Sequence, residues 1–379
     1  MRIENSRGKA THSDRLERWL GADKVAGIVE SMKDFYHPIA VHGVPGSVYA
    51  MPGGDFAGEI RAGQEVSAVE RAQLSLKRIE RNRFSRAAMS RKQLGAFANL
   101  SAIIAAQTGG KGQQATFSKT GVTNFGIGGC ADLWVAAGQP AAGAAGAAAA
   151  AGTSPTNATA GALKYTNPTN ANTGHFTTGY VSAAVAANTL LLTDRLFMVA
   201  KTMNSTTTEA VTGTFSRYQS GTATAEDYIG GNFVYPYSPT TVLPATAHNW
   251  TVCQYTNQAS TAAQSIPSVA GRSACPVGNI DISAGGWFLP LASGDVGVKA
   301  LSQMQCSALV ATGTIDFVVA HPIAFFPCPV ANMVCPMDGI YTAFNLTRIY
   351  DNACLNFLEM PKPATTATTY SGLIQIVAE

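Results

Sequence analysis

The chain has 379 residues, 13% of them charged and 46% hydrophobic, with a formal net charge of +3. That length exceeds the roughly 100–200 residues of a usual single domain, and the balance of high hydrophobicity and low net charge excludes a disordered chain. A charged fraction about half the ~25% of ordinary globular chains leaves a surface rich in Thr, Ala and Gly, which neither repels a copy of itself nor costs much to desolvate, so self-assembly is the expectation.

Charge divides the chain unevenly: residues 1–110 hold 16 Lys+Arg and 11 Asp+Glu, residues 111–379 hold 10 and 12. The start, MRIENSRGKATHSDRLERWL, is charged and lacks the apolar centre of an export signal, and no run approaches the ~18–20 apolar residues of a membrane span. Synthesis in a cytoplasm without a membrane role is therefore expected. Ser13–Met32 begins with a capping serine and carries Leu16, Leu20, Val25, Ile28 and Val29 near helical spacing, which predicts a helix interrupted at Gly21 or soon after. His37–Gly63 is dense in Gly and Pro and predicts an extended loop. Glu65–Gln107, with Val66, Val69, Leu76, Ile79, Phe84, Leu94, Phe97 and Leu100 as an interrupted apolar stripe, predicts one long helix or two in succession. GGKGQQ at 109–114 ends it, so residues 1–110 form a charged helical arm, a unit beyond which the β-rich remainder should fold alone.

From 111 to 379 Thr, Val, Gly and turn residues favour strands. Ala136–Thr173 is a low-complexity stretch of small residues that cannot build a core of its own, and it is expected to be an extended loop contacting another chain. Strands are expected in part of Val181–Val199, and at Trp250–Tyr255, Lys299–Ser307, Ile315–Phe326 and Thr369–Val377. Thr342–Met360 fits neither period cleanly and is read as a short helix leading to a last strand. The fold class is α+β, mainly β: an N-terminal helical arm followed by an antiparallel β-sandwich-like region.

The residues most suggestive of contact are basic: Arg71, Lys77, Arg78, Arg81, Arg83, Arg86, Arg91 and Lys92 crowd 22 residues, with Glu80 within the run and Glu70 just before it as the acids. Such a stripe suits the acidic face of a neighbouring subunit. Non-specific contact with packaged DNA is a second reading, weakened by Phe84 being the only aromatic in the run. The segments GGKGQQATFSKTG and GVTNFGIGG lack the G-x-x-x-x-G-K-[ST] spacing of a phosphate loop. Seven cysteines at 130, 253, 275, 306, 328, 335 and 354 lack paired metal-ligand spacing, the nearest two being Cys328 and Cys335 in PCPVANMVCP, so buried free thiols are expected and no metal or cofactor. Six histidines, at 12, 37, 42, 175, 248 and 321, show no H-E-x-x-H and no nucleophile elbow. Asp281, Asp295 and Asp316 lie among strands and could pair in a glycan-cleaving site, but capping turns is the expected role in so acid-poor a region. No enzyme is expected.

WFLPLASGDVGVKALSQMQCSALVATGTIDFVVAHPIAFFP, Trp287–Pro327, resembles a pattern of tailed-bacteriophage virion proteins: a Leu-Pro-Leu strand, a Gly-Asp turn, then two strands joined by Thr-Gly-Thr. HNWTVCQYTNQAS, His248–Ser260, resembles the partner strand that accompanies it. The order of residues 1–36, 37–63 and 65–107 is similar to the arm, extended loop and spine helix of tailed-phage major capsid proteins. The resemblance implies a structural subunit of a phage virion, capsid or capsid-associated, whose partners are copies of itself and other virion proteins. The competing reading is a tail or receptor-binding protein with a glycan groove built on Trp250, Trp287, Tyr235 and Tyr237. A bacterial surface or pilus subunit would suit the composition but not the charged start.

Overall fold

The computed structural model describes Phe97 and residues 99–378, apart from 124, 125, 127, 148–150, 169–173, 204, 205, 220–230, 284, 285, 311–313, 341–345 and 362–366. All belong to one compact unit, Ser90–Glu379. The helix expected at Ser13–Met32, the loop at 37–63 and all but the last turns of the helix expected at Glu65–Gln107 lie outside the described residues.

Helix α1 (Leu100–Ala106) starts at Asn99, whose side-chain Oδ1 accepts the Ala102 N–H at 2.9 Å, the usual answer to the unpaired donors of a first turn. Gln107–Lys111 is a wider turn that ends at Gly110, φ 83°, a left-handed conformation open to glycine at little cost. Strands follow in the order β1 (Gly112–Thr120), β2 (Ala131–Asp132), β3 (Gly138–Gln139), β4 (Gly174–Ala183), β5 (Asn188–Thr202), β6 (Glu209–Ala210), β7 (Phe233–Tyr237) and β8 (Asn249–Asn257). They continue with β9 (Gln264–Ser265), β10 (Val269–Ala270), β11 (Val298–Cys306), β12 (Thr314–Cys328), β13 (Cys335–Asp338), β14 (Arg348–Ile349), β15 (Leu355–Glu359) and β16 (Thr369–Ala378).

These strands make three antiparallel sheets and a mainly β, sandwich-like fold. A front sheet runs β13-β4-β16-β1-β3 with β14 also on β4; a central sheet runs β2-β15-β5-β12-β7; a back sheet runs β10-β8-β11-β6 with β9 also on β8. The 15-residue β5 and β12 pair along their whole length. NTLLLTDRLFMVAKT and TIDFVVAHPIAFFPC are near-continuous apolar runs because each is covered on both faces. Leu190 and Leu192 of β5, with Ile323 and Phe326 of β12, join Phe117, Phe176 and Ile374 in a front core. Leu191, Leu196 and Phe197, with Ile315, Phe317 and Val319, join Trp250, Tyr255 and Leu301 in a back core. Pro322 sits beside a register shift between β12 and β5, where a missing N–H is tolerated.

Within Trp287–Pro327, β11 pairs with β8, the two strands flanking Thr-Gly-Thr, β11 and β12, go to different sheets, and the strand expected at Leu-Pro-Leu, 289–291, does not form. Val181–Val199 holds the end of β4 and most of β5, separated by a turn with Ala187 at φ 59°. The helix expected within Thr342–Met360 is absent from its described part, which holds β14 and β15. Every position of β15 is buried between β2 and β5, and two-sided burial erases both the helical and the alternating pattern. Gly112–Thr120, passed over as part of a Gly-rich stretch, is the strand β1.

At the end of the expected arm, Ile103 and Phe97 pack with Leu346 and with Val377 of β16, and the Phe97 ring meets His175 of β4 edge-on at 5.4 Å. The described part of Ala136–Thr173 holds β3 and a run of turns at 157–162 and is bonded along its own chain. Trp134 Nε1 donates to the Ala144 carbonyl at 2.7 Å, Gly146 N to Asp316 at 2.7 Å, and Thr153 exchanges backbone bonds with Met198. Gln113 clasps the Thr166 backbone from both sides. Small residues are required there, since a Cβ on Gly143 would stand 2.1 Å from the Trp134 ring.

Candidate assembly surface

Strand β1 alternates strictly: Ala115, Phe117 and Lys119 are buried, while Gln114, Thr116, Ser118 and Thr120 are exposed. Register carries the outward set across the front sheet. Gln114 lies opposite Gln375 and Gln375 opposite Thr178; Thr116 opposite Leu373 and Leu373 opposite Tyr180; Ser118 opposite Ser371 and Ser371 opposite Ser182. Tyr180 in turn faces Pro336 of β13, and Ser118 faces Gln139 of β3. The outward rows of these five strands thus carry amides, hydroxyls, Leu373, Pro336 and a 43% exposed Tyr180. The charged member is Asp338, at the β13 margin, whose carboxylate accepts the Ile340 N–H. At one end the face is covered by α1 over Val377; beyond it Gln114, Thr116, Ser118, Tyr180 and Ser371 are exposed. The charge belonging to β1 is turned inward, where Lys119 Nζ donates to the carbonyls of Ala136 and Ala141. Burial lowers the Lys119 pKa to about 8 against a partial opposing pull from Asp132.

The platform beneath is pinned by charge inside the central sheet. Asp194 and Arg195, adjacent on β5, reach opposite partners. Arg217 grips Asp194 through Nε at 2.7 Å and Nη2 at 2.9 Å, and the Cys354 N–H donates to the same carboxylate at 2.8 Å. Arg195 Nη1 pairs with Asp132, which also accepts from Tyr235 OH at 2.8 Å, Asn356 Nδ2 at 2.7 Å and the Trp134 N–H at 2.9 Å. The Arg195 guanidinium lies 4.6 Å from the Trp134 ring centre and 5.0 Å from that of Tyr237. Burial alone would lower the Arg195 pKa, but Asp132 beside it overcomes that and holds it above its ordinary value. Burial raises the Asp194 and Asp316 pKa values despite their hydrogen bonds.

Residues considered for chemistry are dispersed. Asp281 is buried against His248 Nε2 at 2.9 Å and Trp250 Nε1 at 3.0 Å. Asp316 accepts from Gly146 and Tyr237, and Asp295 is held by Tyr255 OH and Asn257 Nδ2, each at 2.7 Å. Trp250, Tyr235 and Tyr237 are fully buried, so three of the four aromatics proposed for a glycan groove serve the core. All seven cysteines are free and six are buried; burial pushes the Cys130 and Cys253 thiols up to about 12, far from reactive thiolates. No three His, Cys, Asp or Glu side chains among the described residues assemble as metal ligands, and no described helix is long and apolar enough to cross a membrane.

His321 stacks on Tyr218, ring centres 3.8 Å apart, with Nδ1 2.8 Å from Asn232 Oδ1. Burial lowers its pKa from 6.5 to about 3. The unfolded chain therefore takes up a proton below about pH 6.5 that the folded chain refuses, so stability is full above that pH and drains away as pH falls toward 3. Between pH 7 and 5 this residue alone should cost about 2 kcal/mol. His321→Gln should remove that share from a pair of urea titrations at the two pH values; an undiminished acid loss in the variant would contradict the assignment.

Arg71, Lys77, Arg78, Arg81, Arg83, Arg86, Arg91 and Lys92 all lie outside the described residues. The outward front face was missed by reading motifs, although the alternation in QATFSKT announces it. Neither protein-family models nor curated proteins give a match to this chain. Three solved structures from infectious bursal disease virus show slight similarity. The Gt strain structure is 8% identical over 70% of this chain and 80% of that one, with TM-score 0.15. The T=1 particles derived from the virus give 9%, 71%, 78% and 0.15, and the VP2 subviral particle gives 9%, 71%, 80% and 0.12. Similarity this slight assigns no fold family.

Proposed function

We propose that this chain is a non-enzymatic structural subunit of a bacteriophage virion, of the head, working through lateral contacts between copies of itself. The observation that carries the reading is the charge-poor front sheet face, with hydroxyl and amide rows flanking Leu373 and Tyr180 and Asp338 only at its margin. A second copy meeting the centre of such a face buries no unpaired charge and meets no like charge. Its three long strands, spaced ~4.8 Å apart and about nine residues long at ~3.3 Å each, give roughly 430 Å², below the ~800 Å² per partner of a stable pairwise complex. One such contact is weak, and many in a closed shell are sufficient together. The phage setting rests on the sequence resemblance at Trp287–Pro327 and on the order of the first 107 residues. In this reading Arg71, Lys77, Arg78, Arg81, Arg83, Arg86, Arg91 and Lys92 serve acidic faces of other virion proteins or, non-specifically, packaged DNA. Sedimentation of the purified chain across a concentration series tests the reading: discrete multi-subunit species support it, and a monomer at every concentration removes it.

A further inference from the structure

A cleft of about 290 Å³ lies between β7, β12 and the 287–296 segment, lined by Phe233, Trp287, Phe288, Leu291, Val296 and Pro322 together with Gly231, Asn232 and Asp295. Its aromatics brace one another: Trp287 meets Phe233 at 4.8 Å, Phe288 at 4.5 Å and Phe325 at 6.3 Å, all near edge-on. Phe288, Val296 and Phe325 are nevertheless 41%, 58% and 44% exposed. The carboxylate of Asp295 has both oxygens engaged by Tyr255 and Asn257. The lining is otherwise mostly aromatic and aliphatic, Phe233, Trp287, Phe288, Leu291, Val296 and Pro322, so an apolar occupant is favoured.

The same chain presents a matching projection. After β12 the segment Pro329–Val334 exposes Val330, Met333 and Val334 at 51%, 55% and 54%. Its shape is fixed: Asn332, at φ 57°, donates its N–H to the Ala183 carbonyl at 2.8 Å, and Ala187 donates to the Pro329 carbonyl. No charged residue occurs from Pro327 to Met337. At about 30 Å³ per water the cleft holds roughly ten water-sized volumes, and the three side chains of the tip comprise about ten non-hydrogen atoms. Phe325 at the cleft and Val330 at the tip are five residues apart, about 17 Å along one stretch. A two-fold axis between two copies could therefore seat each tip in the other's cleft, the reciprocal geometry of an isologous contact.

We infer that the Phe233–Trp287–Phe288 cleft receives the Val330–Val334 tip of a second copy of this chain. The inference rests on the self-assembly reading and adds a contact distinct from the front sheet face. Phe288→Asp disables the cleft and leaves the tip; Met333→Asp disables the tip and leaves the cleft. Both positions are exposed, and near-UV circular dichroism checks that each variant keeps the wild-type fold. In sedimentation at a concentration where wild type associates, each variant alone should lose at least tenfold in association, and an equimolar mixture should regain association, since one intact tip still meets one intact cleft. Either variant associating like wild type, or a mixture no better than its parts, overturns the inference while leaving assembly through the sheet face standing. A wild-type chain that is monomeric throughout overturns both.

Discussion

Asp132→Ala should be the most damaging single substitution in the described residues, lowering unfolding free energy by about 3–5 kcal/mol, the range seen when one member of a buried ion pair is removed. The side chain is fully buried and answers four donors on Arg195, Tyr235, Asn356 and Trp134. Without it the Arg195 guanidinium keeps its charge among Trp134, Tyr237 and the core, because burial cannot take its proton at any working pH. Denaturant titration of Asp132→Ala, Arg195→Met and the double variant separates the causes. The double variant should be less destabilised than Asp132→Ala, since no orphaned charge is left inside. A loss below about 1 kcal/mol for Asp132→Ala would show that the pair does not pin the central sheet.

The second large effect belongs to the front face. Thr116 and Tyr180 are exposed and flank Leu373 in one cross-strand row. Thr116→Asp with Tyr180→Asp places two negative charges where a copy would place two more. Facing like charges cost several kcal/mol, and at 1.4 kcal/mol per factor of ten association should weaken by more than about 100-fold. Folding should suffer far less, on the order of 1 kcal/mol per site, the span of strand propensity on an open face. Light scattering against concentration, paired with a thermal melt, reads both quantities. Undiminished assembly by the folded double variant would remove this face from the contact.

What the sequence made legible was the long strands rich in β-branched and aromatic residues. β8, β11, β12 and β16 could be placed because β-branched and aromatic runs sit between turn residues. The general expectation of a neutral surface also followed from composition. Harder to read was the short β15, buried on both sides, whose LNFLE shows neither a helical nor an alternating pattern, so that Thr342–Met360 reads as a short helix leading to a last strand. The partition of Ala136–Thr173 onto its own core depends on Trp134, ten residues from the carbonyl it binds and packed against Gly143 and Gly161, a relation that low complexity conceals. The adjacent Asp194 and Arg195 in LLLTDRLFMVA were a visible signal, two opposite charges inside an apolar strand. Their partners Arg217 and Asp132 lie 23 and 63 residues away, which no local pattern specifies.

The central claim is that copies of this chain meet through an uncharged surface, and salt tests it most directly. Contacts between exposed charges are screened over a Debye length that shrinks from ~30 Å at 0.01 M to ~3 Å at 1 M salt, whereas a face of hydroxyls, amides and apolar groups has nothing to screen. Sedimentation of the full chain in sodium chloride from low to near-molar concentration should show an association constant changing by less than about threefold. An assembly that dissolves by orders of magnitude as salt rises would place the contact on charged groups such as Arg78, Arg81 and Arg86 and contradict the account.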